Sequence, residues 1–371
     1  MPGLINLHIH LPSSGKPSKK QTDAAKLVKL LTSTALSRKI AQTICEGNAK
    51  MQLMSGVTTV RTVGGITNFD TRIRDRILAG KVDGPRILAA NMAVSVVEGH
   101  MAGSLAYEAT STEEACRDVE LIIKDHPDLI KLMITGGVLD AKKKGEPGVL
   151  RMPPDYVKGC CSVAHKYGYP VAAHVESPEG VRVALENGVD TIEHGAALDE
   201  HQVALFKEKK ASLICTISPA LPLALFDRSI SNSSEITQFN GKVVMDGIIA
   251  GAKTAIANGI PVGLGTDSGC PFITHYDMWR ELVYFCKYVG VSNGFALYTV
   301  TKRNAEIARV GEVTGSIEVG KSADFLITEG NPLEDLTVLR TPYMIVARGK
   351  RFEHPKVKKY AEVENELDKW L

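Results

Sequence analysis

Short apolar runs recur along the chain at residues 3–8, 57–62, 85–90, 129–134, 170–174, 191–194, 212–217 and 260–265, each with the length and content of a buried strand. Between them lie stretches of helical period at 111–126, 155–167, 178–187, 199–209 and 240–258. Ser111 and Glu114 form a capping box ahead of the first of these. Gly56, Gly168, Gly188 and Gly259 each close a helix-like stretch before a strand or its turn, as C-terminal caps do. Strands alternating with helices predict a parallel sheet with covered faces. Eight such units favour an α/β fold of the (β/α)8 TIM-barrel type over its rival, an open doubly wound sheet.

After Val310 the pattern becomes glycine-rich, short and alternating, at 315–319, 323–328 and 343–352, and predicts the strands of a small appended sheet. In residues 356–371, Val357, Tyr360, Val363, Leu367 and Trp370 recur at helical spacing, so a terminal helix should dock by that face on its own barrel. The expected organisation is a barrel over 1–310, a small β unit over 311–355 and a C-terminal helix over 356–371.

At 371 residues and 44% hydrophobic, the chain can fill a sizeable core. A formal net charge of +2, with basic residues spread along the sequence, gives no footprint for nucleic acid or an acidic membrane, and the expected partner is a small-molecule substrate. A homo-oligomer is left open. Seven cysteines show no zinc-ribbon or C-x-x-C spacing, and Cys160 and Cys161 are adjacent. With no secretory leader or membrane-length apolar run, a reducing cytoplasm fits best.

The chemistry lies at the ends of the strand runs. His8 and His10 are one residue apart, and on an extended backbone both imidazoles share a face. Lys131 interrupts the apolar run Leu129-Ile130-Lys131-Leu132-Met133-Ile134, where an ammonium is costly to bury. Either it snorkels, or desolvation frees a neutral amine that reacts with carbon dioxide to give a carbamate able to bridge two metals. His174 and His194 each end a run before a loop; singly either could be a core histidine, together they suit Zn2+ or a similar ion. Asp267, in Gly265-Thr266-Asp267-Ser268-Gly269, either caps its turn or takes the proton of an attacking water. In a barrel the strand ends meet on one face, so these scattered donors can converge.

These residues resemble the amidohydrolase superfamily. Residues 2–9, Pro-Gly-Leu-Ile-Asn-Leu-His-Ile, with His10, look like its strand-one motif; Thr191-Ile192-Glu193-His194-Gly195 and Gly265-Thr266-Asp267 match its strand-six and strand-eight signatures. Residues 315–324 are like the segment that returns the chain to the family's small β-sandwich. The likeness is greatest to the imidazolonepropionase-like branch with metal-dependent prolidases and carboxypeptidases. It implies two divalent ions of the Zn2+ type, one held by His8, His10 and Asp267 and the other by His174 and His194, with carboxylated Lys131 and a hydroxide between them. The implied activity is hydrolysis of a C–N amide bond in a dipeptide or an N-acyl amino acid. Asp267 and His100 are its candidate catalytic residues, and His100, His275 and Arg228 its candidate substrate contacts.

Two departures bear on this. The barrel strand starts at residue 3, without the sandwich strands that usually precede it in the family, so a truncated sandwich with bare edges is expected unless another segment covers them. Some related peptidases carry a tyrosine three residues after the strand-six histidine, where this chain has Ala197, so the usual substrate preferences do not transfer. Deamination, opening of a cyclic amide or lactone, and an inactive barrel that binds a partner are the competing readings.

Overall fold

The computed structural model describes residues 1–18 and 23–371. Its strands are β1 (Leu4–Ile9), β2 (Val57–Thr62), β3 (Arg86–Leu88), β4 (Ala93–Val96), β5 (Ala106–Ala109), β6 (Ile130–Met133), β7 (Val171–Val175), β8 (Thr191–His194), β9 (Ser212–Cys215) and β10 (Val262–Leu264), followed by β11 (Phe325–Ile327), β12 (Met344–Ala347) and β13 (Lys350–Glu353). The first ten form two parallel sheets, ordered β1-β2-β3 and β10-β9-β8-β7-β6-β4-β5, which join into a TIM-barrel-like ring. On one side the ring closes through Asp267 N–H to His8 O and His10 N–H to Ser268 O, both 2.8 Å. On the other, Asp128 N–H reaches Ala89 O at 2.7 Å and Val94 pairs with Leu132. Asn304 fastens the first seam, its amide donating to Ile5 O and Leu264 O while its oxygen accepts Leu264 N–H.

The third apolar run is longer than its periodicity suggests: it continues as β4 and gains an edge strand, β5. The segment between β1 and β2 holds two helices, Ala24–Thr32 and Ala35–Met54, capped by Asp23 and Thr34. Ala25 packs beside Gly103, so the pair borders the loop that carries His100. The other helices, among them Thr112–Ile123, Pro154–Lys166, Pro178–Glu186 and Glu200–Lys209, lie where the helical period places them.

The C-terminal strands form an antiparallel sheet in the order β11-β12-β13, while residues 315–319 are not a strand. An alternating pattern needs a neighbour to pair with, and that segment has none. The expected bare edge of β11 is covered: Leu326 N–H donates to Met1 O, and Gly3 N–H to Asp324 O. At the opposite edge, Lys350 and Arg351 supply exposed charge.

The terminal helix is shorter than 356–371, spanning Ala361–Leu367 with a following turn at Asp368–Trp370, and it buries Val363 and Leu367. Its docking is ionic as well as apolar. Arg280, 1% exposed, meets Asp277, Glu364 and Asp368, and Arg340 meets the last two from outside. Removing one member of a buried ion network leaves the others unpaired, so Arg280→Ala is expected to cost about 3 kcal/mol of stability, read as a lower urea midpoint. A midpoint within about 0.5 kcal/mol of the parent would show that the helix is held by its apolar face alone.

Candidate active site

His8 on β1, His10 just after it, Lys131 on β6, His174 on β7, His194 at the end of β8 and Asp267 after β10 all lie toward the C-terminal end of the barrel, and all six are buried. The rings of His8 and His194 lie 4.6 Å apart, those of His174 and His194 4.8 Å, and those of His8 and His10 5.5 Å. Asp267 Oδ1 faces His10 Nε2 at 3.2 Å and His8 Nε2 at 3.5 Å. The donors of His8, His194 and Asp267 lie within 4.8 Å of one another, as do those of His174, Glu176 and His194, a spacing one ion can span.

Backbone geometry serves this convergence. A Cβ on Gly265 would stand 2.4 Å from His8 Cβ, so only glycine lets β10 come close enough to set Asp267 beside the β1 histidines. His194 (φ 66°) and Asp267 (φ 56°) adopt left-handed backbone, which for histidine costs about 1 kcal/mol or more and persists where surroundings fix a side chain's direction.

Three rings are oriented through Nδ1, which leaves Nε2 turned inward. His8 Nδ1 pairs with Glu193 Oε2 at 2.8 Å, His10 Nδ1 with Gly64 O at 2.8 Å, and His194 Nδ1 with Thr216 Oγ1 at 2.7 Å. Glu193 is anchored in turn by Arg61 at 2.6 Å and Thr191 at 2.8 Å. Carboxylates and hydroxyls behind metal-binding imidazoles fix tautomer and direction in this manner. Thr216→Val, nearly isosteric, is expected to lower divalent-ion affinity about 10–100-fold in a chelator competition with little change in stability. Unchanged affinity would separate Thr216 from the ligand geometry.

Burial and the Lys131 cation push His8 well below the usual histidine range, and burial pushes His174 down likewise and His194 to about 4, so these imidazoles are neutral and offer lone pairs. Burial also lowers Lys131 to about 8, against the pull of Glu193 and Asp267. No hydrogen bond or salt bridge among the described residues holds its ammonium. Burial alone would raise the Asp267 carboxyl; the His8 and His10 rings outweigh it and keep it well below the ordinary carboxylate range.

Of the candidate substrate contacts, only His100 joins the cluster. Its ring stacks on His174 at 4.1 Å, and its Nδ1 is held by Asp140 at 2.6 Å. His275 is wholly buried with both nitrogens engaged, Nδ1 with Gln52 and Nε2 with Ser13 O, so it ties the loop after β1 to the barrel. Arg228 is exposed at the start of a short helix next to its cap Asp227, and among the described residues no hydrogen bond or salt bridge links it to the cluster.

The sequence reading missed Arg61, Glu193, Thr216, Asp140 and Glu176. The first two carry the same signal that singled out Lys131, a charge inside an apolar strand run. Cavities of about 190 Å3, at the strand N-terminal ends around Leu129 and Pro170, and about 270 Å3, beside Pro342 and Pro355, lie away from the six side chains. Donor chemistry, not cavity volume, locates the site.

The model of the amidohydrolase family matches residues 1–351. The chain belongs to the amidohydrolase family. Ochratoxinase of Aspergillus niger is 26% identical to this amidohydrolase over 397 aligned positions, spanning 98% of this chain and 77% of the fungal one. A crystal structure of a candidate prolidase from Bifidobacterium longum is 37% identical with a TM-score of 0.86, covering 100% of this chain and 84% of its own. A Xaa-Pro dipeptidase with methionine bound in its active site is 29% identical with a TM-score of 0.81, covering 95% and 86%. Family membership makes this chain a hydrolase, and the family generally uses divalent metals. Among the described residues, no helix of this amidohydrolase is long and apolar enough to cross a membrane.

Proposed function

We propose that this amidohydrolase cleaves the C–N amide bond of a dipeptide or an N-acyl amino acid with a pair of divalent ions. The observation that carries the reading is that buried ligand atoms face one another without hydrogen bonds: among the described residues His174 Nε2 and Asp267 Oδ1 form none, although Oδ1 stands 3.2 Å from His10 Nε2, a costly arrangement unless a cation completes it. His8, His10 and Asp267 would hold one ion, and His174 and His194 the other. Lys131, carboxylated on Nζ, would lie between them, a role supported by its burial and weakened basicity. Such ions, when bound, acidify a water and polarise the scissile carbonyl.

The remaining steps fall to side chains. Asp267 accepts a proton from the attacking water and returns it to the leaving nitrogen, since C–N cleavage needs an acid at that atom. His100 donates from Nδ1 to the Asp140 carboxylate, forms no hydrogen bond through Nε2 among the described residues, and would donate from Nε2 to the substrate carbonyl oxygen as the doubly protonated ring. Glu193 and Arg61 hold His8 in register throughout.

A screen of zinc-loaded protein against dipeptides, including Xaa-Pro, and N-acyl amino acids tests the reading. A free amino acid product is the expected result. Ammonia release without a free amino acid would move the chain to the deaminases, and ring opening of cyclic amides or lactones alone would discard peptide cleavage.

A further inference from the structure

Resting on that metal-dependent reading, we propose that Glu176 is a ligand of the second ion, completing with His174 and His194 a three-donor set that differs from the family's histidine, lysine and aspartate pattern. His174 and Glu176 are two residues apart across the end of β7, so their side chains leave the same face, as those of His8 and His10 do across the end of β1. The ligand atoms of His174, Glu176 and His194 lie within 4.8 Å of one another.

The Glu176 carboxylate is half satisfied. Val138 N–H donates to it, while Oε2 is buried without any partner. His174 Nε2, likewise unpartnered, is the second orphan of the same trio. Among the described residues no lysine or arginine pairs with Glu176, and the charges that act on it most are the carboxylates of Asp267 and Asp140. A buried carboxylate oxygen among other carboxylates and neutral imidazoles is costly unless a proton or a cation neutralises it, and the facing lone pairs of His174 and His194 suit a cation.

Position is fixed as well as chemistry. Glu176 N–H donates to Thr135 Oγ1 at 3.1 Å, and a Cβ on Gly148 would stand 2.3 Å from Glu176 O, so the 148 turn packs against the strand end and fixes its direction. Two imidazoles and one carboxylate form a donor set that zinc and cobalt accept readily, with a position left open for water or substrate.

The test is ion stoichiometry, independent of catalysis. The full-length chain, Glu176→Gln, Glu176→Asp and His174→Ala are loaded with zinc or cobalt alone, desalted and assayed for metal, with circular dichroism to confirm the fold. The parent is expected to hold about two ions. Glu176→Gln should bind the second at least about 100-fold more weakly, retain the ion of His8, His10 and Asp267, and match His174→Ala in its cobalt absorption spectrum. Glu176→Asp should recover part of the loss.

Two ions of parental affinity in Glu176→Gln would overturn the assignment. That includes the case in which only KM for a free-amino dipeptide rises, which would give the carboxylate to a substrate ammonium. A parent that binds no ion overturns the metal-dependent reading itself, and this assignment with it.

Discussion

Asp267→Asn is expected to lower turnover by roughly 10^3–10^4-fold while leaving the fold intact. The substitution keeps the shape of the side chain in its left-handed turn, where asparagine is well tolerated, and removes only its charge and its capacity to take a proton. Proton transfer by a placed side chain contributes about 10^2–10^4-fold, and loss of a charged ligand beside His8 and His10 adds to that. Steady-state kinetics on a substrate found in the screen, with a thermal melt beside them, checks it. A variant within tenfold of the parent would return Asp267 to turn capping and move the proton relay elsewhere.

Lys131→Ala is expected to abolish turnover by a comparable factor through another route, the loss of the ions themselves. At a pKa of about 8 the neutral amine is roughly two orders of magnitude more abundant at neutral pH than for an ordinary lysine near 10.4, and the neutral amine is what attacks carbon dioxide. The ammonium loses one proton to become the amine, and Nζ loses a second as it bonds to the carbon of carbon dioxide, turning a buried cation among neutral imidazoles into an anion that two cations could share. Metal content of the alanine variant should therefore fall well below that of the parent. Short carboxylic acids, seated in the space the side chain vacates, should restore part of both metal and activity. Unchanged metal content would make Lys131 a desolvated structural lysine.

Much of this was readable in the order of residues, for a physical reason. Burial on both faces writes a barrel strand as a continuous apolar run, and a polar group inside or ending such a run stands out. Lys131, His174 and His194 were legible in this way, and the strand spacing placed them on one barrel face. The orienting layer was harder, because nothing local distinguishes Thr216, near the end of an apolar run, or Asp140 until the fold brings them to His194 and His100.

His275 and Arg228 show the converse. A loop residue's direction is set by distant contacts, Gln52 and Ser13 for His275, which no local pattern contains, while Arg228 stands exposed on a short helix. The helices Ala24–Thr32 and Ala35–Met54 announce themselves through Asp23 and Thr34, their caps, more than through burial. The first buries no residue, and Leu27, Leu30, Leu36, Ile40 and Ile44 on the pair stay exposed, so the usual link between apolar period and core is broken there.

The most direct measurement is anomalous diffraction from crystals of zinc-loaded protein at the zinc edge. Two peaks roughly 3.5–4 Å apart are expected, one against His8, His10 and Asp267 and the other against His174 and His194, with density extending Lys131 Nζ between them. No peak among these side chains, or ions bound only on the surface, would contradict the account.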